Sequence, residues 1–222
     1  MKAAEKKVGI LRFLGTNCDG DIWQAVSAVG LTPEWLWYQD RFEAKDYAAF
    51  ILPGGFSHGD YLRCGALAAK APVMESLAEG VRRGTPTLGI CNGFQILCDA
   101  GLLPGALVRN EKLRFIDDWV ELELVHPCDS FAGGHQNPAT TARLPIAHGE
   151  GRYYVEDEVL KSLQDHGQIW WTYRENPNGS VANIAGVMDR QRRVAGLMPH
   201  PERALFTWMG GTDGWSFFSS LL

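Results

Sequence analysis

The sequence predicts an α/β fold: a mostly parallel central sheet flanked by helices, with antiparallel strands in the C-terminal half. Three observations carry this. Through the first hundred residues, short apolar runs alternate with amphipathic helical stripes, the pattern of parallel strands buried on both faces. Glycine-rich turns follow the runs ending at Leu14, Leu52 and Ile90, and in such sheets the working loops lie beyond the carboxyl ends of the strands. After Gly101 the pattern gives way to period-two alternation, as in Trp119 to Val125, and to strong turns such as Asn176-Pro177-Asn178-Gly179.

Taken in order, Val8 to Leu14 reads as a buried strand. The turn Gly15 to Gly20 carries capping residues, and Asp21 to Val29 is a helix with apolar positions Ile22, Ala25, Val26 and Val29, ended by Gly30. Glu34 to Tyr38 and Ala48 to Leu52 are strands, the second closed by Pro53-Gly54-Gly55. Arg63 to Lys70 and Val73 to Arg83 read as helices, the latter ended by Gly84, and Thr85 to Ile90 is a strand. A sharp turn at Cys91 follows, then a helix to about Ala100 that Gly101 stops. Further on, Arg143 to His148 and Tyr153 to Val155 look extended, Glu158 to His166 is a short helix, and Gln168 to Tyr173 is a strand. Val181 to Val187 and Arg193 to Met198 bracket Met188 to Arg192 as a hairpin.

At 222 residues, with no Pro/Ser-rich linker, one domain over residues 7–222 is expected. The net charge of −5 and the lack of a basic run argue against nucleic acid and anionic membrane as main partners. Five cysteines (Cys18, Cys64, Cys91, Cys98, Cys128) with no C-x-x-C spacing suit reduced thiols in a cytoplasmic protein. His126-Pro127-Cys128 has no second ligand pair nearby, so no metal centre is expected. The apolar run at Val8 to Leu14 is short and broken by Arg12, so neither a signal peptide nor a membrane span is read from it.

The stretch Gly89-Ile90-Cys91-Asn92-Gly93 is G-x-C-x-G between a strand and a helix, the setting of a nucleophile elbow. Gly89 and Gly93 leave room for a strained tip, and a thiol at a helix N-terminus is favoured as thiolate. A small buried cysteine is the plain alternative, so a base must come from elsewhere. Met198-Pro199-His200-Pro201-Glu202 supplies one: the prolines push the preceding residues toward extended backbone, which sets His200 and Glu202 on one face. Cys91, His200 and Glu202 then form a nucleophile, base and orienter. The backbone N–H groups of Gly55 and Asn92 are the candidate oxyanion donors. Gln95, one turn beyond Cys91, binds a polar substrate or is a surface glutamine. His148, in Ala147-His148-Gly149-Glu150-Gly151, and His58 lie in glycine-flanked loops that reach the site or a partner; His126, His135 and His166 read as surface or structural.

On these residues the chain resembles the family of glutamine amidotransferase (glutaminase) subunits of phosphoribosylformylglycinamidine synthase, within the triad class I glutamine amidotransferases. The motifs are Gly15-Thr16-Asn17-Cys18-Asp19, Leu52 to Gly65, Leu88 to Leu97, Gly101 to Asn110, Ala147 to Gly151, Asn178 to Gly186 and Pro199 to Ala204. The resemblance implies a flavodoxin-like type 1 amidotransferase domain in which Cys91 forms a glutamyl thioester, His200 is general base and acid, and Glu202 orients it. It places Gly55 and Asn92 at the oxyanion hole and Gln95 and His148 among substrate-binding positions. Thr16 and His58 depart from the serine and tyrosine common in the family. The implied reaction hydrolyses glutamine to glutamate and ammonia. A synthetase subunit then uses the ammonia and ATP to convert formylglycinamide ribonucleotide to formylglycinamidine ribonucleotide in purine biosynthesis, with a small bridging subunit as a further partner. No G-x-x-x-x-G-K-[ST] occurs here, so ATP and magnesium are expected on the partner. The rival readings are a stand-alone cysteine hydrolase, an esterase or peptidase on a similar sheet, and a binding module that kept the fold.

Overall fold

A computed structural model describes residues 7–60, 65–131 and 139–221. Its elements are β1 (Lys7–Arg12), α1 (Asp19–Ala28), β2 (Thr32–Trp37), β3 (Ala49–Leu52), α2 (Pro72–Arg82), β4 (Thr87–Ile90), α3 (Asn92–Asp99) and β5 (Ala106–Val108). There follow β6 (Ile116–Leu124), β7 (Thr141–His148), β8 (Arg152–Tyr154), α4 (Asp157–Asp165), β9 (Ile169–Tyr173), β10 (Ile184–Met188), β11 (Val194–Leu197) and α5 (Trp215–Ser219). The main sheet runs β2-β1-β3-β4-β11-β10-β9-β6-β7. From β2 to β11 neighbouring strands are parallel; from β11 to β7 they are antiparallel. The strands β5 and β8 form a separate antiparallel pair.

The burial follows the pattern that the sequence carries. Every residue of β3 and β4 is buried, as continuous apolar runs require when helices cover both faces. In β6 and β7 burial alternates, because one face of that antiparallel extension meets water. The α2 stripe Val73, Met74, Leu77 faces the core, and Gly80 lets the helix approach the Phe50 ring. Among the described residues, no helix is long and apolar enough to cross a membrane.

The expected helix Arg63 to Lys70 is corrected to a 3-10 turn at Ala68–Lys70; Arg63 and Cys64 lie outside the described residues, as does His135. The strand expected from Val181 starts only at Ile184, because Ala182 and Asn183 take positive φ in a 3-10 turn. β6 begins at Ile116, ahead of the alternating segment. Two elements gave no sequence signal: β5 is three residues long and α5 five.

For the site, one topological fact matters most. β4 and β11 are adjacent and parallel, with Ile90 opposite Leu197, so the segments leaving them emerge on the same rim of the sheet. Residues more than a hundred positions apart are thereby brought together, and the Cys91 N–H donates to Leu197 O at 2.8 Å.

Candidate active site

Cys91 is the N-cap of α3 and has φ 50 and ψ −107, a conformation that costs a non-glycine residue on the order of 1–3 kcal/mol. The neighbouring glycines permit it. A Cβ on Gly93 would lie 2.0 Å from Leu52 O, and one on Gly89 would lie 2.7 Å from the Gly93 backbone. Strand and helix can therefore meet tightly enough to hold the thiol at the bend.

His200 follows β11, and its N–H donates to Pro145 O of β7 at 2.8 Å. His200 Nδ1 lies 2.7 Å from Glu202 Oε1. Glu202 is not in extended chain, as the sequence reading had it. Pro201 starts a 3-10 turn, Pro201–Arg203, and that turn brings the carboxylate back to the imidazole. Both side chains are essentially inaccessible to water. Burial pushes the His200 pKa down, but the charge of Glu202 foremost, then the charge of Cys91 and hydrogen bonding with Cys18 and Cys91, outweighs it and holds the pKa well above the ordinary histidine value.

Cys91 and His200 line one cavity of about 240 Å3 together with Asn17, Cys18, Gly55, Phe56, Phe115, Asp117, Ala147 and Arg203. Gly54 makes the convergence possible. A Cβ there would sit 2.8 Å from His200 Cε1, 3.0 Å from Cys18 Sγ and 3.4 Å from Cys91 Cβ. Gly55 has φ +150, and its added Cβ would be 2.8 Å from backbone atoms of Gly15, Thr16 and Asn17. Asn92 is the first helical residue of α3, whose N–H has no intrahelical acceptor.

Gln95 is buried, which removes the surface reading. Its Oε1 accepts from Asn92 Nδ2 at 2.8 Å, its Nε2 donates to Glu150 O at 2.6 Å, and Asn92 Oδ1 accepts from the Ser57 N–H at 3.1 Å. A chain of amides thus ties the elbow helix to two loops, and Gln95 is not among the cavity's lining residues. His148 is also buried outside that lining. Its Nδ1 is 3.1 Å from Asn110 Oδ1, which also accepts the Gly151 N–H; an oxygen there makes Nδ1 the donor and leaves Nε2 as the bare nitrogen. Burial, then the charge of His200, pushes the His148 pKa down to about 4. His58 packs edge-on against Tyr38 with centroids 5.6 Å apart, and His166 meets Ser162 O at 2.7 Å.

Cys18 is the site residue that the motif reading did not single out. It is buried, its Sγ accepts from Arg203 Nη2 at 3.2 Å and donates to Asn17 Oδ1 at 3.3 Å, and its backbone N–H donates to Gly54 O at 3.2 Å. Burial pushes its thiol pKa up, against the opposing pull of His200. One signal could have found it: its turn follows β1, so it falls on the working rim. Asn110 left no such signal.

The profile of the CobB/CobQ-like glutamine amidotransferase domain matches residues 5–214. Phosphoribosylformylglycinamidine synthase subunit PurQ of a Nostoc strain is 49% identical over 97% of this chain and 96% of its own length. The protein of that name from a Synechococcus strain is 48% identical over 97% and 99%. Among solved structures, one described as PurLQS from Thermotoga maritima superposes with a TM-score of 0.88 at 40% identity, covering 98% of this chain and 97% of the matched one. A glutamine amidotransferase from the same organism shares the fold at 19% identity and a TM-score of 0.58, covering 91% of this chain and 78% of its own. The chain belongs to the PurQ family of phosphoribosylformylglycinamidine synthase subunits, within the CobB/CobQ-like glutamine amidotransferases.

Proposed function

We infer that this chain is the glutaminase subunit of phosphoribosylformylglycinamidine synthase in purine biosynthesis, releasing ammonia for a synthetase partner. The observation that carries the chemistry is the strained Cys91 at the mouth of α3, sharing one cavity with a His200 already held by Glu202.

His200 takes the Cys91 proton, a transfer that its raised pKa favours. The thiolate attacks the glutamine side-chain carbonyl, and the resulting oxyanion is received by the N–H groups of Gly55 and Asn92. Collapse breaks the C–N bond; the proton on His200 goes to the leaving nitrogen, and ammonia departs from a glutamyl thioester. Water, deprotonated by His200, then attacks the thioester, giving glutamate and the free thiol. Gln95 and His148 bind inward, to Glu150 O and Asn110, and support the loops around the bound glutamine.

Ammonia is largely protonated at neutral pH, so its use requires a closed passage to a partner. The exposed rings of Phe56 and Phe115 at the cavity suit such coverage. The partners are the large synthetase subunit and a small bridging subunit, which the solved PurLQS assembly supports; the ATP and magnesium of the reaction belong to the synthetase on this reading. The test is a reconstituted complex carrying Cys91→Ala. Glutamine-dependent synthesis is expected to vanish and ammonia-dependent synthesis to persist. Loss of both, or retention of both, overturns the assignment.

A further inference from the structure

Cys18 has no part in the reaction just derived, yet it is packed against the base. Among the described residues, one group of three or more potential metal ligands converges: one donor atom each from Cys18, His200 and Glu202 lie within 4.8 Å of one another. All three residues are at most 3% exposed. A second observation is independent of that clustering. Glu202 Oε2 is buried without a hydrogen-bond partner, and His200 lines the cavity beside both thiols.

We propose that Cys18, His200 and Glu202 form an inhibitory site for a thiophilic divalent cation, with Zn2+ the best match. The donor set is sulfur, imidazole nitrogen and carboxylate oxygen, three protein ligands of the kinds that zinc takes with a fourth position left open. Binding displaces the Cys18 thiol proton and the proton of the His200 imidazolium and releases both to solvent. The thiolate and carboxylate together balance the cation's charge, and the imidazole coordinates in its neutral form. The site is inhibitory because its ligands are already in use. The cation competes with the hydrogen bond between His200 and Glu202 and with the contact from Arg203 to Cys18. A metal-bound His200 cannot take the Cys91 proton, so occupancy halts glutamine hydrolysis. Cys18 thus makes the triad's base a metal ligand as well.

Two measurements on the full chain test this. In the Cys91→Ala protein, titration with Co2+ is expected to give a thiolate-to-metal charge-transfer band saturating near one equivalent. The band should be lost on adding Cys18→Ala and weakened at least tenfold by adding His200→Ala. This readout needs no glutamine, so its result stands apart from the functional assignment. In the reconstituted complex, Zn2+ should suppress glutamine-dependent but not ammonia-dependent synthesis, with recovery on chelation. Cys18→Ser should raise the half-inhibitory Zn2+ concentration at least tenfold relative to that variant's own activity. No band in the Cys91→Ala protein, a band that survives Cys18→Ala, or unchanged Zn2+ sensitivity in Cys18→Ser each overturns the proposal.

Discussion

The parallel and antiparallel halves of the sheet serve the cavity in different currencies. The parallel half supplies side chains and strained turns at strand ends: Cys91 after β4, His200 after β11, Gly54 and Gly55 after β3, Cys18 after β1. The antiparallel half supplies backbone carbonyls beside the lining residues Phe115 and Asp117. Pro145 O receives the His200 N–H, Ala147 O lies 3.9 Å from Cys91 Sγ, and Glu150 O receives the Gln95 amide. Since β7 is the last strand of the sheet in bonding order, these contacts mean that the antiparallel end curls back over the rim. The difference teaches that, on the proposed mechanism, one half carries the reacting groups and the other holds them in place.

If so, substitutions at the parallel strand ends should strike turnover, and those in the antiparallel half should strike stability. The largest effect is expected from Cys91→Ala or His200→Ala, each lowering glutamine turnover by about 10³-fold or more, with the thermal midpoint little changed for Cys91→Ala and lowered for His200→Ala, which leaves the buried Glu202 unpaired. Comparable residual rates for the two would mark them as one catalytic unit. Next, Glu202→Gln should lower kcat by a smaller factor than His200→Ala, because it removes orientation and charge but leaves the proton carrier; an equal or greater loss would contradict that division. Gly93→Ala tests whether the elbow's tightness is structural. Its Cβ would meet a backbone oxygen of β3 at 2.0 Å, so denaturant unfolding should show a loss of at least about 1–3 kcal/mol.

The smallest effect belongs to the antiparallel half and depends on pH. His148 is buried neutral with its pKa lowered from 6.5 to about 4, so the unfolded chain binds its proton first. The stability that it contributes is complete above about pH 6.5 and is lost progressively as the pH falls toward 4. Urea unfolding of His148→Gln, whose amide carries no proton to bind, should show a flatter acid limb over that window. An unchanged limb would place the acid sensitivity elsewhere.

This division also explains what was legible beforehand. The alternation of apolar runs and helical stripes made the fold readable, and the G-x-C-x-G and His-x-Glu motifs pointed to Cys91, His200 and Glu202, which the structure brings together, because side-chain chemistry at strand ends leaves a signature in residue identity. The carbonyls of Pro145, Ala147 and Glu150 leave none, since any residue offers one. The extended-chain argument for His200 and Glu202 reached the right pairing through the wrong backbone, as the 3-10 turn after Pro201 is set by local geometry and burial. Cys18 was visible as one of five cysteines, but only the meeting of its loop with Gly54 O shows it beside the base.

The central claim is that, of two thiols in one cavity, Cys91 alone is the nucleophile. The most direct measurement is to treat the chain, docked to its synthetase partner, with a diazoketone analogue of glutamine and to map the modified residue by peptide mass. The account predicts one label, on Cys91, formed far more slowly after His200→Ala. Labelling of Cys18, or labelling of Cys91 at the same rate without His200, would contradict it.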